Sequence, residues 1–195
     1  MTLENVIFLD RDGVINFDSP DYIKSWEEVA FLPGSLEAVA ALTRAGFHLI
    51  LITNQSVIGR GMVAPEVLAD MHRRMQQAIA AAGGKLFDIF YCPHHPDEGC
   101  DCRKPEPGMI FMAKARYGID LLRSMMIGDN VKDVACGQNA GCGATILVRT
   151  GSGAQAEKAL AQKQMTPTAV AEDLQAAAQL ILSGQIFSSD DPPPP

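Results

Sequence analysis

The chain has 195 residues, 47% of them apolar and 20% charged, a composition that excludes general disorder. A chain of this size buries roughly 70% of its unfolded surface, so a core needs neither disulfides nor metal. With 16 basic against 23 acidic residues the net charge is -7, which excludes a protein whose main task is to hold a nucleic-acid backbone, although a local basic pocket for a small phosphate stays open.

Residues 1–5 carry no basic n-region, the apolar run at 6–9 is too short for a signal segment and no run approaches a membrane span. A cytoplasmic protein without a membrane partner is expected. Val6-Ile7-Phe8-Leu9 stops abruptly at Asp10-Arg11-Asp12-Gly13, the pattern of a buried strand entering a polar turn. Pro33-Gly34-Ser35 opens a helical stretch over 36–45, with Ser35 as its expected cap and Gly46 as its stop. A second strand over 47–52 ends in Thr53-Asn54-Gln55-Ser56, and the longest helix, 65–82, stops at Gly83-Gly84. The third strand, 87–91, runs into a stretch rich in cysteine and histidine, followed by a helix over 108–117. The fourth, 124–127, ends in Gly128-Asp129-Asn130 before a helix over 131–140, and the fifth, 144–148, ends in Arg149-Thr150-Gly151.

This alternation implies a doubly wound, mainly parallel α/β sheet with helices on both faces. In such a sheet ligands gather at the carboxyl ends of the strands, where every polar cluster above falls. Residues 1–183 read as one domain. The remainder, 184–195, ends in acids and four prolines and is expected to be a disordered tail that buries nothing.

Asp10 and Asp12 lie two apart at a strand end and so should project from one edge, with Arg11 directed elsewhere. Paired carboxylates there repel unless a cation or a shared proton intervenes, and Mg²⁺ suits because it joins protein carboxylates to substrate phosphate. Asp129, followed by Asp133, would complete the acidic cluster, and Gly13 would let a tight turn face its N–H groups to an anion. Thr53 offers a hydroxyl donor, and Lys104 a cation able to grip a phosphoryl group. Singly, these are a solvated turn, a strand-end cap and a surface lysine. Together they form a set.

The cysteine count of 5 is odd, and Cys92-Pro93-His94 with Cys100-Asp101-Cys102 supplies four soft or borderline ligands in one short stretch. In a reducing compartment that set favours a closed structural Zn²⁺ over disulfides, with His95 as a spare ligand; the plainer alternative is a strand end and a turn. Cys136 and Cys142 fit small buried positions without chemistry.

From Asp10 to Asp133 the chain resembles the haloacid dehalogenase (HAD) superfamily of phosphotransferases: Asp10-Arg11-Asp12-Gly13, Thr53-Asn54-Gln55, Lys104 and Gly128-Asp129-Asn130 with Asp133 match its four motifs in order. The resemblance implies that Asp10 takes up the phosphoryl group as an aspartyl-phosphate and that Asp12 protonates the leaving oxygen and then activates water. It also implies that Thr53 and Lys104 hold phosphoryl oxygens, and that Mg²⁺ is bound by the Asp10 carboxylate, the Asp12 carbonyl and Asp129. The Cys/His loop leading into Arg103-Lys104-Pro105, with Asn54-Gln55-Ser56 and Arg60-Gly61, is similar to the branch of heptose-bisphosphate and histidinol-phosphate phosphatases. This implies a monomeric phosphatase of a small phosphorylated sugar, a heptose bisphosphate with histidinol phosphate as the alternative, and a structural zinc loop.

The interval from Asp12 to Thr53 is already occupied by a helix and a strand, so no separate cap domain fits and loops must wall the site. The expected substrate contacts are Gly13, Asp18, Asp21, Tyr22, Asn54, Gln55, Ser56, Arg60, Arg103 and Asn130. A phospho-acceptor receiver module is the competing class, but its phosphorylated aspartate would end the third strand, which here ends in Tyr91-Cys92.

Overall fold

The computed structural model describes residues 3–187. Six strands, β1 (Val6–Leu9), β2 (His48–Asn54), β3 (Leu86–Cys92), β4 (Ser124–Gly128), β5 (Ala144–Val148) and β6 (Ala169–Ala171), form one sheet in the order β3-β2-β1-β4-β5-β6. Every pairing is parallel. The helices are α1 (Ser35–Arg44), α2 (Pro65–Ala81), α3 (Gly108–Tyr117), α4 (Val131–Ala140), α5 (Gly153–Gln162) and α6 (Leu174–Leu182).

Strand alternation divides the core between the two faces. Ile7 and Leu9 of β1 pack with Val39 and Leu42 of α1, Met75 and Ile79 of α2, and Leu174 and Ile181 of α6. Val6 and Phe8 point the other way, onto Met109, Ile110 and Ala113 of α3 and Cys136 and Ala140 of α4. On that second face Leu147 of β5 meets Ala156 and Leu160 of α5. Burial on both faces explains why β1 is wholly apolar and why β4 and β5 are buried along their whole length, with Ser124 and Thr145 as their one polar side chain each. Each fully buried side chain of this kind contributes about 2 kcal/mol, so Phe8→Ala in the central strand would cost about 4 kcal/mol with its cavity included.

β1 lies between β2 and β4, and the chain reverses its winding direction there. The loops after β1 and β4 diverge at such a switch point and open a crevice above the strand ends. Asp10 and Asp129 immediately follow those two strands.

Three details differ from the sequence reading. β6 is a three-residue edge strand with too little pattern to register as one, and the helices around it, α5 and α6, complete the two layers. Ser35 is not a cap: Gly34 takes the N-cap position at φ 75°, while Ser35 Oγ donates to Ile15 O at 2.8 Å. Burial does not stop at Leu182, because Ile186 and Phe187 pack against the first core face. The rest of the expected tail, 188–195, lies outside the described residues. Among the described residues no helix is long and apolar enough to cross a membrane.

Candidate active site

Asp10 continues the β1 ladder by donating its N–H to Ile127 O at 3.0 Å, so its carboxyl leaves the sheet at the mouth of the crevice. Lys104 is buried, with Nζ 2.8 Å from Asp10 Oδ1, 2.7 Å from Asp133 Oδ1 and 3.0 Å from Ile52 O. Burial alone would favour neutral lysine, but the Asp10 and Asp133 charges outweigh it and hold the ammonium well above the ordinary lysine range. Asp133 serves twice, since its Oδ2 also accepts the Asn130 N–H at 3.0 Å in the capping box that starts α4.

Asp10, Asp129 and Asp133 bring carboxylate oxygens within 4.8 Å of one another. Three carboxylates and one ammonium leave two negative charges unmatched, which suits a divalent cation with oxygen ligands. Burial, then the Asp10 and Asp133 charges, push the Asp129 carboxyl up to about 8. The Asp10 carboxyl is likewise raised by burial, against the pull of Lys104. Asp10 Oδ1 is taken by Lys104 and by the Arg11 N–H at 2.7 Å, and Asp129 Oδ2 by the Ser152 N–H at 2.7 Å. Asp10 Oδ2 and Asp129 Oδ1 have no protein donor among the described residues.

Asp129 is pinched between two loops. A β-carbon on Gly13, at φ 79°, would stand 2.2 Å from Asp129 Oδ2, and one on Gly151, at φ 56°, would meet the same oxygen at 2.2 Å. Only glycine allows this approach from both sides. The tight turn expected at Gly13 is present, and the Gly13 N–H closes it by donating to Asn16 O at 2.7 Å. Thr150 Oγ1 ties the two loops by donating to Gly13 O at 2.6 Å. Thr150, Gly151 and Ser152 were not singled out from the sequence, although the end of β5 pointed there.

Arg11 also departs from expectation. The backbone turns after Leu9, with the Ile15 and Asn16 N–H groups both donating to Arg11 O, so strand alternation no longer governs the side chains. The buried guanidinium folds onto Asp12, with Nε 3.0 Å from Oδ1 and Nη2 2.8 Å from Oδ2. Asn16 Nδ2 adds a bond to Oδ1 at 2.8 Å and Gln55 Nε2 one to Oδ2 at 3.1 Å. Burial would raise the Asp12 pKa, but the Arg11 charge and these hydrogen bonds overcome it and hold the carboxyl below its usual range. The Gln55 amide also donates to Thr53 Oγ1 at 2.9 Å, linking two expected catalytic side chains.

A cavity of about 290 Å³ opens above this cluster, bordered by Asp10, Asp12, Thr53, Lys104 and Asp129 at its floor and by Asp18, Tyr22, Asn54, Gln55, Ser56, Arg60, Arg103 and Asn130 around it. Asp21 is exposed and outside this lining. The Arg60 guanidinium lies 5.4 Å from the centre of the Tyr22 ring, joining the walls from two loops by a cation–π contact. Arg103 Nη1 is buried and has no acceptor among the described residues. Both polar atoms of the Asn54 side chain engage the Lys104 backbone, and Asn130 Oδ1 accepts the Lys132 N–H as the cap of α4.

Cys92, His94, Cys100 and Cys102 converge at the end of β3, with all four ligand atoms within 4.8 Å of one another. The Cys92–Cys100 and Cys100–Cys102 sulfur separations are both 3.5 Å, and His94 Nδ1 stands 3.6 Å from Cys92 Sγ and 3.2 Å from Cys102 Sγ. A zinc tetrahedron with bonds of about 2.3 Å has sulfur–sulfur edges of about 3.8 Å, so this donor set fits that ion. His95 is not among the four; its Nδ1 accepts the Asp97 N–H at 3.3 Å.

A family profile for HAD-like hydrolases matches residues 101–177. The D-glycero-beta-D-manno-heptose-1,7-bisphosphate 7-phosphatase of Pseudomonas aeruginosa is 42% identical over 178 residues, 91% of this chain and 98% of the relative. The corresponding Bordetella bronchiseptica protein is 46% identical, over 91% and 97% of the two chains. A crystal structure of D,D-heptose 1,7-bisphosphate phosphatase from B. bronchiseptica, complexed with magnesium and phosphate, superposes with a TM-score of 0.86 at 44% identity, covering 92% of this chain and 98% of that one. The Burkholderia thailandensis enzyme gives a TM-score of 0.70 at 34% identity, over 92% and 99%. These relationships span nearly the whole length of each relative, and the chain is therefore a phosphatase of the HAD-like hydrolases, belonging to the heptose-1,7-bisphosphate 7-phosphatase family.

Proposed function

We propose that this phosphatase removes the 7-phosphate from D-glycero-D-manno-heptose 1,7-bisphosphate, through an aspartyl-phosphate on Asp10, in the cytoplasm and as a monomer with one catalytic domain, whose packed core reaches past residue 183 to Phe187. The carrying observation is the division of labour at Asp10, which lines the cavity: Lys104 and the Arg11 N–H hold Oδ1, while Oδ2 accepts no hydrogen bond from the described residues. A carboxylate fixed by one oxygen presents the other for attack.

In this reading Asp10 Oδ2 attacks phosphorus, and the bond from phosphorus to the sugar oxygen breaks. Asp12 gives that oxygen its proton. Asp12 then takes a proton from water as the water attacks the acyl-phosphate, releasing inorganic phosphate and restoring Asp10. To act first as an acid, Asp12 must release part of its four-bond clasp and gain a proton, a change favoured by the arriving phosphate charge. Thr53 and Lys104 hold phosphoryl oxygens.

Mg²⁺, held by Asp10, the Asp12 carbonyl and Asp129, would neutralise phosphoryl charge. This accords with the unmatched acidic cluster and with the magnesium and phosphate bound by the B. bronchiseptica enzyme. Zn²⁺ held by Cys92, His94, Cys100 and Cys102 would tie down the loop that delivers Arg103 and Lys104. Asp18, Tyr22, Ser56, Arg60 and Arg103 are placed to meet the sugar and its second phosphate, and the unpartnered Arg103 Nη1 is the group most in need of an anion.

The test is phosphate release from heptose 1,7-bisphosphate, histidinol phosphate and p-nitrophenyl phosphate, each with magnesium. The expected kcat/KM is highest for the bisphosphate, with loss from position 7. Faster turnover of histidinol phosphate would transfer the assignment to that substrate.

A further inference from the structure

Asn54 ends β2 and borders the cavity, where its amide would ordinarily be read as a substrate contact. Instead its Nδ2 donates to Lys104 O at 3.1 Å, and the Lys104 N–H donates to Asn54 Oδ1 at 3.0 Å. These are the two bonds that a neighbouring strand would make with Lys104, supplied here by a side chain. Asn54 also pairs in register with Cys92, and the next residue along, Gln55, donates its N–H to Cys92 O at 2.8 Å. The segment from Cys92 to Lys104 therefore begins and ends against one residue. Two positions earlier on β2, Ile52 O accepts Lys104 Nζ at 3.0 Å. Residues 52 and 54 thus fix the two ends of the same lysine, its ammonium and its backbone.

We infer that Asn54 is a positioning residue for Lys104, setting where the ammonium stands beside Asp10 through the paired bonds to the Lys104 backbone. The inference rests on the phosphatase reading above but not on the identity of the sugar. The proposed zinc ligation ends at Cys102, two residues short of Lys104, so the Lys104 backbone needs a hold of its own. Asn54 supplies that hold. Displacing a charge aimed at a reacting phosphoryl group slows the chemical step for every substrate, because the phosphoryl group is common to all of them.

The test compares Asn54→Ala and Asn54→Asp with the wild type. Readouts are kcat and KM on heptose bisphosphate and on p-nitrophenyl phosphate, zinc content, and circular dichroism at the assay temperature. Asn54→Ala is expected to lower kcat on both substrates by on the order of 100-fold, the scale of a displacement of about 1 Å, with the bisphosphate KM and the zinc content unchanged. Asn54→Asp keeps an acceptor for the Lys104 N–H but loses the donor to Lys104 O, so its kcat should fall between the two. That variant alone decides the matter if Asn54→Ala does not fold.

A loss confined to the bisphosphate KM would make Asn54 a substrate contact and overturn the inference. So would unchanged kcat, or zinc lost in parallel with activity. A wild-type enzyme that hydrolyses p-nitrophenyl phosphate but not the bisphosphate would refute the proposed substrate while leaving Asn54 to be judged on the simpler ester.

Discussion

The Arg11 guanidinium holds the Asp12 carboxylate at two points, 3.0 and 2.8 Å, from a position buried beneath the first loop. The residue between the two acids thus fixes the second of them. A buried guanidinium has few other partners to turn to, so the pair acts as a unit. Arg11→Met is expected to cost about 3 kcal/mol in urea unfolding, by stranding a largely desolvated carboxylate. Arg11→Met combined with Asp12→Leu should cost clearly less than the sum of the single changes. Strict additivity would show that the two groups do not depend on each other.

His72 on α2 is buried, its ring 5.8 Å from that of Tyr91, and its Nε2 has no partner among the described residues. Burial first, and then the positive charge of Arg11, lower its pKa to about 4. The unfolded chain gains the proton near pH 6.5 while the folded one refuses it, so stability falls as pH drops from 6.5 to about 4 and then levels. A shift of this size corresponds to about 3 kcal/mol. His72→Met should lack this component. Unfolding free energies of the two proteins that run parallel across the window would show that His72 is not held neutral.

Metal removal separates the two proposed ions. Chelation of magnesium should abolish turnover reversibly and leave about one zinc per chain by elemental analysis. Cys100→Ser should lose zinc and, with it, the order of the loop ahead of Arg103. Full activity in thoroughly magnesium-depleted protein would remove the acidic cluster as a cation site.

Arg103 directly follows Cys102, the last of the four clustered metal-ligand candidates, and its buried Nη1 has no acceptor among the described residues. Arg103→Ala should lower kcat/KM on the heptose bisphosphate by about 100-fold, the worth of a charge-assisted contact, and on p-nitrophenyl phosphate by only about 3-fold. Equal losses on both esters would place Arg103 at the reacting phosphoryl group.

The strand-end clusters were legible because parallel strands must be apolar and their carboxyl ends must carry whatever chemistry exists. The placement of Asp10, Thr53 and Asp129 at strand ends follows from that rule, whereas their roles came from the family resemblance; Cys92, His94, Cys100 and Cys102, read as one ligand set, do converge. The direction of Arg11 was not legible, since alternation holds only while the strand lasts and the chain turns at that residue. Ser152 was hidden for another reason: its contribution is a backbone N–H to Asp129, which no side-chain pattern encodes. Gln55 reads as a pocket residue until its amide is seen joining Thr53 to Asp12. Ala169-Val170-Ala171 is too short to declare itself a strand without β5 beside it.

The pinch of Gly13 and Gly151 around Asp129 has a consequence for how this chain can vary. The Gly151 β-carbon position is also only 2.7 Å from Gly13 Cα, so the two loops touch backbone to backbone with no room for a methyl group on either. In a library of all single substitutions, both positions should therefore tolerate glycine alone. Their losses should register as weakened magnesium dependence before they register as unfolding, because the first atom pushed aside at either position is a carboxylate oxygen of Asp129.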